Sequence, residues 1–226
     1  MSSLRERALR EDLVTQAALE AYAAVRHDGR LADRAIDFTL RHKKHLYSQE
    51  RRAVAERVYA LLRKQRLVDF LAEASLSDFP QLAPSRQDLL RLAVSRVLDG
   101  DDLSSVLAAS RLSGAEGAWL RKLPQAQAKL GGLSEARRFA VTASIPDFLA
   151  DLLRAQLGDE ASAVTEAMNR RGPLTGRVNP LKGTREQLMK ALSAEDVEVQ
   201  PTPLSPFGVT LETRTNVYAL KAFRDG

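Results

Sequence analysis

The chain has 226 residues, 44% apolar and 28% charged, with a formal charge of +5, a pI near 9.7 and no cysteine. This suits an ordinary globular protein of one large domain or a medium and a small one, and it excludes a disulfide scaffold, a thiolate metal site and a cysteine nucleophile within these residues. Arg5, Glu6, Arg7, Arg10, Glu11 and Asp12 interrupt any apolar stretch a signal peptide needs, and no later run approaches the roughly 18 apolar residues of a membrane span, so a cytoplasmic protein is expected.

Low aromatic content with abundant Ala, Leu, Arg and Glu tilts the chain towards helix. Apolar periodicity predicts amphipathic helices over residues 10–27, 31–42, 48–75, 85–99, 102–112, 115–123 and 134–142. His27, Asp28 and Gly29 end the first, and Ser48 is the expected N-cap of the third. Prolines or paired glycines place loops at 77–84 and 123–133. In the third helix Val54, Ala55, Val58, Leu61 and Leu62 share one arc opposite Arg52, Glu56 and Arg63. Arg51 falls on the apolar side, where it must snorkel or find a buried partner.

After Ser144 the pattern gives helices at 146–157 and 159–171, a strand at 174–178, a helix at 184–194, strands at 197–200 and 208–213, and a helical turn at 216–220. Three prolines make 201–206 an extended, exposed linker. The expected fold is mainly α: a helical bundle over 1–143 followed by a small α/β domain over 144–226.

Charge is unevenly spread. Residues 41–66 hold nine Lys or Arg (Arg41, Lys43, Lys44, Arg51, Arg52, Arg57, Arg63, Lys64, Arg66) against Glu50 and Glu56, a local +7 that leaves −2 for the other 200 residues. Such a cluster at the end of one helix and around the next is how a helical domain presents cations to nucleic-acid phosphates. The plainer alternative is a solvated helix face with internal pairs such as Arg52 with Glu56. A second cluster, NRRGPLTGRVNPLKGTR from Asn169, carries Arg170, Arg171, Arg177, Lys182 and Arg185 and no acid; leading into a helix, it offers backbone donors and cations to a phosphate.

His27, His42 and His45 do not make a metal site, since the pair at i,i+3 lacks a third ligand and sits among cations; they are expected to be surface or RNA-contact histidines. Trp119 and Tyr47 are aromatics that can stack on bases, although at helical spacing such residues are more often core or rim. No strand leads into a glycine-rich turn followed by an acid, and no activated nucleophile is present.

The arrangement DR...L..HKK.L...ERRAVAERVYALLR from Asp33, SIPDFLADLLRAQLGDE from Ser144, RVNPLKGTR from Arg177 and LSPFGVTLE...NVYALKAFRDG at the close together resemble bacterial RsmB-type methyltransferases of the Nol1/Nop2/Sun group. The resemblance implies a NusB-like helical RNA-binding domain and a small α/β domain that dock 16S ribosomal RNA for a following domain. In the family that domain binds S-adenosylmethionine and methylates a cytosine at carbon 5 through a cysteine nucleophile. Family members usually carry an apolar residue where this chain has Gly176, which weakens the expected strand, and often Trp where it has Phe207.

On this reading the chain is the RNA-recognition portion of such an enzyme and is inactive alone, with ribosomal RNA and a C-terminal methyltransferase domain as partners. Phosphate contacts fall to Arg41, Lys43, Lys44, Arg51, Arg52, Arg63, Lys64 and Arg66. Arg177, Asn179, Lys182 and Arg185 line a second contact or the seam with the methyltransferase domain. Two rivals remain: a stand-alone NusB-like module in transcription antitermination or ribosome assembly, and a helical domain whose basic face meets an acidic protein.

Overall fold

In a computed structural model the described residues are 8–76, 82–212 and 217–225. They form a mainly helical protein with one small antiparallel sheet, as composition and periodicity predict. By packing, the chain divides into two compact units, Met1–Asn169 and Arg170–Gly226.

The first unit is all helical: α1 (Glu11–Arg26), α2 (Ala32–His42), α3 (Ser48–Arg63), α4 (Gln65–Leu76), α5 (Pro84–Leu98), α6 (Leu103–Ser110), α7 (Gly114–Leu120), α8 (Leu123–Ala128), α9 (Glu135–Ala143), α10 (Asp147–Leu157) and α11 (Ala161–Asn169). In α1 the buried residues Val14, Ala17, Ala18, Ala21 and Tyr22 recur at the helical period and face α2, α3, α5 and α6. Helix α5 is central, buried from Asp88 to Arg96 and packed on α1, α3, α4, α6 and α7. Full burial of each Leu or Val here contributes about 1.5–3 kcal/mol. Its buried ions are paired: Asp88 Oδ2 lies 2.6 Å from His27 Nε2, Arg91 Nε donates to Asp69 at 2.7 Å, and Arg96 Nε donates to Asp101 at 2.7 Å.

Three elements depart from expectation. The predicted helix over 48–75 is two helices broken at Lys64, which has φ −112° and ψ 16°. Val54, Val58 and Leu61 are nearly in phase with Val68, Leu71 and Ala72, and no Gly or Pro marks the break; the bend lets α4 pack on α5, α8 and α9. The expected loop at 123–133 holds α8, with Pro124 in the first turn, and a 3₁₀ turn over Lys129–Gly132, because Leu123 and Ala126 are drawn into the core. Ser48 is the first residue of α3 rather than its cap; the Glu50 carboxylate accepts the Tyr47 N–H at 2.8 Å.

The α/β unit contains β1 (Leu174–Arg177), α12 (Arg185–Ser193), β2 (Val199–Pro201), β3 (Gly208–Leu211) and α13 (Lys221–Arg224). Strand order is β1-β3-β2, all antiparallel, with Gly176 opposite Val209 and Pro201 opposite Val209 from the other side. Pro201 is tolerated because β2 is an edge strand. Thr184 caps α12 by accepting the Gln187 N–H at 3.3 Å while Gln187 Oε1 accepts the Thr184 N–H at 2.8 Å. Leu192, Val197, Val209, Leu211 and Leu220 form the core. The expected extended linker at 201–206 is instead a tight loop between β2 and β3, closed by Gly208 N–H to the Ser205 carbonyl at 3.2 Å and Thr202 N–H to the Gly208 carbonyl at 3.0 Å. Of the helical turn expected at 216–220, residue 216 lies outside the described residues and Val217–Ala219 form a 3₁₀ turn. Residues 77–81 of the loop expected at 77–84 likewise lie outside them. Strand β1 forms despite Gly176, since hydrogen bonding to β3 satisfies its backbone.

Candidate nucleic-acid interface

Folding brings distant carboxylates onto the basic run. Lys43 Nζ donates to Glu20 at 2.7 Å, Arg57 to Glu11 at 2.6 Å, Lys64 to Asp99, and Arg66 to Asp147 at 2.6 Å. Arg41 pairs with Asp37 one turn back at 2.8 Å. Burial pushes the Arg57 guanidinium below its usual value, and the neighbouring Arg96 adds to the effect. Arg51 finds a half-buried partner: its guanidinium donates to the Leu40 carbonyl at 2.7 Å, satisfying one of the last carbonyls of α2. Arg66 also donates to the Ile145 carbonyl, and its backbone N–H to Ser144 Oγ at 2.8 Å, pinning α4 to the turn between α9 and α10.

The eight expected phosphate contacts thus separate by environment. Arg41, Lys44 and Arg52 are exposed, Lys43, Arg63 and Lys64 half-buried, and Arg51 and Arg66 committed to internal carbonyls. Lys44 and Arg63 have no ion pair among the described residues. The turn that displays Lys43, Lys44 and His45 is held by Arg10, whose guanidinium bridges the His45 carbonyl at 2.7 Å and the buried Glu50 carboxylate at 2.5–2.7 Å. That bridge, with backbone donors from Tyr47 and Arg10, holds Glu50 down at about 2. Tyr47 is half exposed beneath the Arg10 guanidinium, 4.5 Å from its ring centre. Trp119 is buried in the core and is not available to a base.

In the α/β unit, α12 covers Val209 and Leu211 but leaves the β1 side of the same sheet face open, producing a concavity of about 800 Å³. Leu174, Gly176, Val209 and Leu211 form its apolar floor, and Arg177, Asn179 and Lys182 stand at its edge. Asn179 Oδ1 accepts the Leu181 N–H at 3.1 Å and its carbonyl accepts from Lys182 and Gly183, so one turn sets Asn179 and Lys182, while pairing of β1 with β3 sets Arg177. Lys182 Nζ donates to the Asp225 carbonyl. Arg177 is exposed without an ion pair among the described residues. Arg185 does not line the concavity: it is half-buried and donates to the Ser205 carbonyl at 3.2 Å, tying α12 to the β2–β3 loop.

The residues present do not fit S-adenosylmethionine or a thiolate nucleophile. Among the described residues no strand runs into a glycine-rich turn and a helix, Gly131 and Gly132 lie between helices, and the chain has no cysteine. What the arrangement can do is present fixed cations and amide donors to a polyanion.

Sequence reasoning also passed over Arg30, Arg34 and Phe38, which with His42 recur every fourth residue from just before α2 along its outer face. That spacing is a helical stripe and was open to detection from periodicity.

Residues 145–218 match the ferredoxin-like domain family of RsmF/B-like methyltransferases. Ribosomal RNA small subunit methyltransferase B of Xylella fastidiosa is 32% identical over 84 residues, covering 37% of this chain and 20% of that protein. The probable ribosomal RNA small subunit methyltransferase B of Synechocystis is 27% identical over 213 residues, covering 86% of this chain and 47% of that protein. The chain therefore spans about half the length of the Synechocystis relative. The crystal structure of PH0851 shares the fold over 97% of this chain and 52% of its own, with a TM-score of 0.65 at 19% identity. Residues 145–218 thus resemble a domain of RsmF/B-like methyltransferases, and the likeness to the two ribosomal RNA methyltransferase relatives extends it along most of the chain. Among the described residues no helix is long and apolar enough to cross a membrane.

Proposed function

We propose that this chain is the RNA-recognition portion of an S-adenosylmethionine-dependent 16S ribosomal RNA cytosine-5 methyltransferase, binding ribosomal RNA and positioning it for a methyltransferase domain. The observation that carries the reading is the gathering of Arg177, Asn179 and Lys182, all within the matched segment 145–218, around one concavity. The exposed cations of the α2–α3 region, Lys44 foremost, supply a second phosphate contact. The names of the relatives support ribosomal RNA as the ligand. By itself the chain transfers no methyl group, having neither a cysteine nor a cofactor cradle among its described residues.

The test is titration of a small-subunit ribosomal RNA fragment at two or more salt concentrations. Lys44→Glu and Arg63→Glu should each weaken binding and lower the slope of log K against log salt by about 0.7–0.9 per lost phosphate contact. Unchanged affinity and slope in both variants would remove the basic patch from the reading. Label transfer from S-adenosylmethionine by this chain alone would overturn the assignment as a recognition portion.

A further inference from the structure

Helix α2 buries Ala35, Ile36 and Thr39 and turns a ring-and-cation stripe outward. Phe38 is 53% exposed on this face, and Leu31, the N-cap of α2, is 62% exposed. Yet the Phe38 ring is not left loose. The Arg30 guanidinium lies 5.0 Å from its centroid, and the His42 ring lies 4.4 Å away at 43°. The His42 ring is held in turn by Nδ1, which donates to the Phe38 carbonyl at 2.8 Å. Three flat groups therefore stand in a fixed order on the surface, without burial to hold them.

The charge around the rings favours a polyanion. Asp37 is paired with Arg41 and Asp28 lies 3.8 Å from Arg30; Asp33 keeps its charge while accepting the backbone N–H of Arg34 at 2.8 Å, so Arg30, Arg34, Arg41 and Lys44 outnumber the three acids by one. The Arg34 side chain and Lys44, both exposed, have no ion pair among the described residues. Aromatic rings flanked by uncommitted cations combine the two elements of single-strand recognition: planar surfaces for bases and positive charge for the backbone between them.

We propose that the outer face of α2 is a stacking platform for unpaired RNA bases, with Phe38 and His42 supplying ring surface and Arg34 and Lys44 the phosphate contacts. This rests on the RNA-binding reading above and adds to it: the ligand presents single-stranded nucleotides here, where a purely electrostatic patch takes any duplex. Phe38 is not among the residues expected to meet RNA from the sequence; His42 is, as a surface or RNA-contact histidine.

The experiment uses the chain with a single-stranded oligoribonucleotide carrying 2-aminopurine, whose fluorescence is quenched on stacking, and a duplex of the same length. Wild type should quench the probe. Phe38→Ala should abolish quenching and lower single-strand affinity roughly five- to a hundredfold, with the salt slope unchanged. Phe38→Tyr should restore both, and Lys44→Ala should lower the slope while quenching persists. Because Phe38 is exposed, its variants should keep the wild-type circular dichroism. Wild-type quenching and affinity in Phe38→Ala would overturn the platform, leave RNA binding standing and hand this face to a protein partner. An equal loss on the duplex would also overturn it. Failure of the wild type to bind either RNA at low salt would remove the RNA reading itself.

Discussion

Replacing Arg66 with Ala separates a cation that faces solvent from one that holds the fold. Its guanidinium donates to the Ile145 carbonyl and pairs with Asp147 at 2.6 Å; the Arg66 side chain is 27% exposed and that of Asp147 64%. A hydrogen bond from a charged group to a half-buried carbonyl contributes about 1.5–3 kcal/mol, and the exposed pair adds about 0–1 kcal/mol. The backbone bond to Ser144 Oγ survives the substitution. Arg66→Ala should therefore destabilise the helical unit by about 2–3 kcal/mol. Trp119, the only tryptophan, is 3% exposed in that unit, so its fluorescence during urea unfolding reports the helical unit. With a slope near 2 kcal/mol per molar urea, the midpoint should fall by about 1 M. The salt slope of RNA binding, measured well below the transition, should stay at the wild-type value. An unchanged midpoint with a slope reduced by about 0.7–0.9 would refute the reasoning and return Arg66 to the phosphate contacts.

Acid should loosen the helical unit before the salt-bridged state would otherwise fail. Glu50 and Glu116 are held at about 2, mainly by hydrogen bonds from Arg10 and Arg86. Their folded values lie below the ordinary 4.5, so their stabilisation is complete above that value and is lost as pH falls from 4.5 towards 2. With the arginines partly exposed, each carboxylate contributes about 1–2 kcal/mol after screening. Urea midpoints from pH 6 to 3 should decline, and Glu50→Gln, less stable at pH 6, should decline less steeply. In the α/β unit, Gly176→Val should be tolerated, because its Cβ would meet Val209 Cγ2 at an ordinary 3.6 Å and valine favours a strand. Gly208→Ala should strip hydrogen-exchange protection from the sheet amides, because its Cβ would fall 2.1 Å from Thr202 Oγ1. The reverse order of tolerance would contradict the packing of the β2–β3 loop.

Periodicity located nearly every element because each helix buries one stripe, as in Val14, Ala17, Ala18, Ala21 and Tyr22 of α1. It did not reveal the break at Lys64, where the apolar stripe runs on in phase and only the packing of α4 on its neighbours forces the turn. Among the candidate contacts, Arg177, Asn179 and Lys182 lie within six residues, at the end of β1 and in the turn that follows, so their grouping was legible. Arg185, only three residues beyond Lys182, points instead at the Ser205 carbonyl, because the first turn of α12 rotates it away.

The composition, the helical stripes and the local crowding of cations between Arg41 and Arg66 are properties of the linear chain. Which of those cations remain available is not. Glu11, Glu20, Asp99 and Asp147 lie 23 to 81 residues from their partners and reach Arg57, Lys43, Lys64 and Arg66 only when the helices pack. A charge count along the sequence treats every residue as solvated and independent. In the folded protein each Coulomb interaction depends on distance and burial, and those are set by the tertiary contacts.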